Sequence, residues 1–139
     1  MARSHPIVSP QSFVADVDLS ATCALYRFVT VASTYDSVKL ATGASNPLPW
    51  GVLQNSPSQN SGAEVVLFGP TVLTGRASTC TLNIGKQFFC ASDGVAEAMV
   101  LSIGCPINGT WLGPAITSGS GYGEAFIYGP LSACGVSSS

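Results

Sequence analysis

The sequence nearly repeats itself at a spacing of 60 residues. Glu64-Val65-Val66-Leu67-Phe68-Gly69-Pro70 returns as Glu124-Ala125-Phe126-Ile127-Tyr128-Gly129-Pro130, and Gly75 returns as Gly135. Upstream, Arg27-Phe28-Val29-Thr30 returns as Gln87-Phe88-Phe89-Cys90 in the same register. Trp50 and Trp111 match one residue out of step, and Gly51 and Gly113 two, which points to a small loop insertion. Two copies are too few for an open array, so the echo predicts one closed domain built by duplication. In 139 residues the repeats span about 25–75 and 85–135 within a domain of 17–139.

Each copy reads as short strands. Leu25 to Val31 alternates in part, Thr34 to Ser37 is a turn, and Val38 to Ala41 a return strand. Trp50 to Gln54 and Glu64 to Phe68 follow, divided by Pro/Asn/Ser loops. The pairs Gly69-Pro70 and Gly129-Pro130 mark bends. Glycine takes angles closed to other residues there, and proline cannot donate to a ladder. In the second copy Phe88 to Ala91 is a strand, and Asp93-Gly94 is a hairpin signal. Val95 to Ile103 is open between strand and short helix. Cys105-Pro106 to Gly109 reads as a turn, Ser118 to Gly123 as a Gly/Ser loop, and Glu124 to Tyr128 as the last clear strand. The predicted fold class is all-β, an antiparallel domain of many short strands.

Residues 1–16 read as an extended arm. Pro6 and Pro10 break regular structure, while Ile7, Val8, Phe13 and Val14 are spaced apolar anchors. Such a segment suits adding a strand to a partner's sheet edge.

Composition narrows the function. Charged residues are 9% of the chain and the net charge is −2, against about 25% charged in ordinary soluble domains. A total of 5 Lys and Arg forms no basic stripe, which disfavours nucleic acid as a partner. No run approaches the roughly 20 apolar residues of a membrane helix. The start lacks the apolar stretch of a signal peptide, which disfavours secretion by that route. Cys23, Cys80, Cys90, Cys105 and Cys134 match no zinc spacing. They read as buried thiols, with disulfides open after release from a reducing cell.

Catalytic sets are scarce. The only histidine, His5, precedes any folded pocket. Asp16 and Asp18 read as caps or turn formers. Glu64 and Glu124 are repeat equivalents, either facing each other as an acid/base pair or each starting a strand. Asn108-Gly109-Thr110 fits a glycosylation sequon. Gly119-Ser120-Gly121 lacks the lysine and the strand-to-helix context of a phosphate cradle. Trp50, Trp111, Tyr122 and Tyr128 suit a sugar-stacking platform or, alternatively, core and subunit-interface positions. The expectation is a non-enzyme with no cofactor, metal or small-molecule substrate.

The run Tyr26-Arg27-Phe28-Val29, then Val38-Lys39-Leu40-Ala41, Pro49 through Asn55, and Gly62-Ala63-Glu64-Val65 through Gly69 resembles the capsid cement (head-decoration) proteins of tailed bacteriophages. A looser second round spans Phe88 to Gly129. The five cysteines, low charge and Gly/Ser loop depart from that pattern. The resemblance implies a β-tulip or small-barrel domain on the virion exterior, made in the host cytoplasm and assembled as a homotrimer. It also implies clamping of neighbouring major capsid protein subunits. The expected capsid-binding residues are Pro6, Ile7, Val8, Phe13 and Val14. The expected oligomer interface uses Trp50, Phe68, Trp111 and Tyr128. The alternatives are a minor capsid, spike or tail part, a carbohydrate-binding module, and a small enzyme using Glu64 and Glu124.

Overall fold

The computed structural model describes residues 11–20, 24–43, 48–78, 80–99, 106–128 and 133–134. The described residues are all β, without helix. The first closed barrel comprises β1 (Gln11–Ala15), β2 (Phe28–Val31), β3 (Ser37–Leu40), β4 (Gly51–Leu53) and β5 (Gly62–Val66). The second comprises β6 (Gly69–Ala77), β7 (Gln87–Cys90), β8 (Ala96–Ala98), β10 (Gly109–Gly113) and β11 (Gly119–Ile127). A two-stranded sheet pairs β9 (Pro106–Ile107) with β12 (Ala133–Cys134).

The barrels have one wiring. In each, the first strand runs parallel to the third and antiparallel to the fifth; the second pairs with the third and fourth, and the fourth with the fifth. Strand register fixes which residues correspond. Val29 pairs with Gly51 as Phe88 pairs with Gly109, and Leu53 pairs with Val65 as Trp111 pairs with Ala125. Glu64 therefore does correspond to Glu124. Trp111, however, corresponds to Leu53, and Trp50 to Asn108, because Trp50 N donates to Val29 O as Asn108 N donates to Phe88 O. Phe28 likewise corresponds to Gln87, one residue away from the match the letters suggest.

Several expected boundaries move. Gln11–Ala15 belongs to no arm; it is β1, and it closes barrel 1 between β3 and β5. Its alternation turns Ala15 fully inward and half-buries Phe13 against the barrel core. Ala96–Ala98 is strand, since pairing on both sides by β6 and β7 overrides the helix propensity of its alanines. The expected turn at Cys105-Pro106 gives way to β9 from Pro106. The Gly/Ser run 118–123 is mostly strand: β11 pairs with β6 from Gly119 to Ile127.

Gly123 of that strand, and Gly75 of its neighbour β6, follow from the core. Trp111 is fully buried in barrel 2 and meets Phe88 edge-on at 6.2 Å. A methyl group on Gly123 would overlap the indole, and one on Gly75 would approach it to 2.8 Å. A narrow five-stranded barrel holds so large a ring only where facing strands present no side chain. Trp111 Nε1 donates to Pro114 O at 2.7 Å, so its buried polar atom is satisfied. Barrel 1 fills the same space with Leu53 and Ala63.

The barrels are fused. Chain crosses between them at Leu67-Phe68-Gly69, where Gly69 adopts φ 100°, as the Gly-Pro pair predicts; Gly129 and Pro130 lie outside the described residues. The outer face of barrel 1 (Phe28, Ala41, Val52, Val66) continues the core of barrel 2 in one apolar cluster. Backbone bonds tie the joint. Thr74 N donates to Tyr26 O at 2.7 Å and Phe28 N to Gly94 O at 2.8 Å. Gly94, at φ 85°, tops the Asp93-Gly94 turn predicted between β7 and β8.

Candidate interaction surfaces

The joint carries the strongest electrostatics among the described residues. Arg76 Nη1 donates to Asp93 Oδ2 at 2.6 Å and Arg76 Nε to Glu97 at 2.8 Å. Arg27 of barrel 1 reaches across, its Nη1 donating to Asp93 O at 3.3 Å and lying 3.9 Å from Asp93 Oδ2. Burial pushes the Asp93 carboxyl up, but hydrogen bonds and charge from Arg76, with help from Arg27, hold it below its ordinary value. The bonds to Asp93 and Glu97 raise the Arg76 guanidinium in turn. This network holds barrel against barrel and offers no open nucleophile or base. The sequence shows its residues but not their convergence, because the β6–β8 and β2–β7 relations are long-range.

The alternative acid/base pair, Glu64 with Glu124, does not assemble. Glu64 lies between the inward Ala63 and Val65 of barrel 1, and Glu124 between the inward Gly123 and Ala125 of barrel 2. Each therefore sits on the outside of a different barrel. Among the described residues no three His, Cys, Asp or Glu side chains gather as metal ligands. His5 lies outside the described residues. Asn108 is buried, and its Oδ1 accepts from Cys90 N at 2.8 Å, so the sequon side chain faces the core. Cys90 is a buried free thiol whose pKa burial pushes up to about 12. Cys80 is free and half-buried, packed against the main core.

The predicted binding residues scatter. Pro6, Ile7 and Val8 lie outside the described residues, and Val14 is exposed on β1. Phe13 and Trp50 line a cleft of about 320 Å³ with Val31, Tyr35 and Asp36. Phe68 is 53% exposed at the crossover. Trp111 offers no interface surface, because it fills barrel 2. Tyr128 is half-buried, its hydroxyl 2.7 Å from Thr110 Oγ1. The aromatics therefore form no single stacking platform. Sequence reading missed Tyr35, Ile84 and Leu112, which turns and strand ends place outward. Ile84, Leu112 and Tyr122 ring a second open cleft of about 560 Å³ with Glu124.

The fold thus defines a class: a tandem of two like-wired five-stranded barrels fused through a shared core. No protein-family model matches the sequence, and no curated protein matches it. Among solved structures the chain is similar to the N-terminal base of the head fibre protein gp8.5 of bacteriophage phi29. The TM-score is 0.62 at 13% identity, covering 87% of this chain and 94% of that one. At that identity the likeness establishes the shared fold.

Proposed function

We propose that this chain is a structural protein of a bacteriophage virion, seated on the exterior of the head and steadying neighbouring major capsid protein subunits. The observation that carries the proposal is the fold shared with a phage head fibre base over nearly the whole of both chains. The low charge and the open apolar clefts support it, since both suit a life packed against protein. Residues 1–10 remain the candidate grip, leading directly into β1 and so anchored to barrel 1. Quantitative mass spectrometry of purified particles tests the proposal. The chain is expected in a fixed ratio to the major capsid protein, and its absence from particles overturns the proposal.

The same likeness supports a second reading within the class, the base of a projecting head fibre. Copy number separates the two. A cement protein is present once for each capsid subunit, whereas a fibre base occupies few sites.

A further inference from the structure

The two barrels share one wiring, so each serves as a control for the other. On the outside of β11 and β6, Tyr122 pairs with Thr74 and Glu124 with Val72; on β5 and β1, Gly62 pairs with Val14 and Glu64 with Ser12. Barrel 2 therefore has Tyr122 and Val72 where barrel 1 has Gly62 and Ser12. It also has one residue more. Leu53 pairs with Val65 and Gln54 N donates to Glu64 O, whereas Trp111 pairs with Ala125 and Gly113, not Leu112, with Glu124. Leu112 is the unpaired residue of a bulge, a device that re-aims a side chain. Barrel 1 closes with the same strands and none of these side chains, so closure does not explain them.

What they build is an exposed apolar cleft. Ile84, Leu112 and Tyr122 are 68%, 44% and 61% exposed, and with Val72 and Pro114 they line the cleft of about 560 Å³. It lies at the Gly113/Tyr122 end of β10 and β11, away from the Gly109/Ile127 end. Charge is laid out across it. The strands run in the order β7, β10, β11, β6. Lys86 is exposed just before β7, its O accepting from Trp111 N, and Glu124 is on β11. Leu112 of β10 stands between the base and the acid. Arg76, farther along β6, is held by Asp93 and Glu97.

We propose that two copies of this chain pair face to face through this cleft, about a two-fold axis running along β10. Such an axis exchanges the two sides of the face. Lys86 of each copy then meets Glu124 of the other, Ile84 lies over Tyr122, and Leu112 packs on Leu112. A face with a base on one side and an acid on the other is complementary to itself, as an isologous contact requires. The pairing buries Ile84, Leu112 and Tyr122 of each copy and rims them with ion pairs. It closes at two copies. It needs no capsid component, so its test uses the chain alone.

Sedimentation velocity over a wide range of concentration tests this, with circular dichroism and melting temperature confirming that each variant folds. Wild type is expected to pass from monomer to dimer and no further. Lys86→Glu and Glu124→Lys are each expected to weaken pairing about tenfold, because each sets like charges against each other. Mixing these two variants in equal amounts is expected to restore pairing, since each then faces its opposite. Leu112→Ser, at an exposed position, is expected to weaken pairing without lowering the melting temperature. A wild type that stays monomeric, association that continues past the dimer, folded single variants that pair like wild type, or a mixture that stays weak each overturns the proposal.

Discussion

Asp93 is one residue with two partners, Arg76 and Arg27, and its environment sets a pH dependence. Its folded carboxyl titrates below its ordinary value, so it contributes stability above the unfolded pKa, near 3.8, that is lost as pH falls through the folded value. Both ion-pair partners are partly open to solvent, which limits the contribution. Asp93→Asn is expected to cost about 1 kcal/mol at neutral pH and less at pH 3 in urea melts. An equal cost at both would contradict the charge assignment. Cys90 offers a second residue-scale check. Its buried thiol is expected to resist alkylation at pH 8 in the native protein and to react once unfolded, as peptide mapping would show. Neither role was legible beforehand. Asp93-Gly94 declared a turn, but what the turn leans on is decided by the distant Arg27 and Arg76.

At the scale of elements, the duplication was legible where core demands coincide and hidden where they do not. β5 and β11 keep the Glu-led pattern because both put alternate small apolar residues inward. β1 and β6 share no obvious letters, since Phe13 and Ala15 face one core and Leu73 and Gly75 another. The Gly/Ser run read as a loop because strand patterning is written in side chains, and at Gly123 Trp111 leaves no room for one. Two substitutions test that relation. Trp111→Ala is expected to cost about 3–5 kcal/mol by leaving a cavity. Gly123→Ala is expected to cost about 1–3 kcal/mol by overpacking. Denaturant melts check both, and a neutral Gly123→Ala would contradict the packing relation.

At the scale of the whole molecule, the fold is similar to that of a phage head fibre base, although no protein-family model matches the sequence. β1 begins at Gln11, inside the expected arm, because Phe13 and Val14 look like anchors whether they meet a partner or a barrel. Removing residues 2–9 is therefore expected to leave the melting temperature unchanged and to abolish attachment to heads. Removing residues 2–14 takes away β1, opens barrel 1 and abolishes the cooperative melt. The most direct test of the central proposal is to add the purified chain to heads lacking it and measure retention after sedimentation. Saturable retention at a fixed ratio to the major capsid protein, with heads that rupture at a higher temperature, is predicted; heads that sediment without the chain would contradict it.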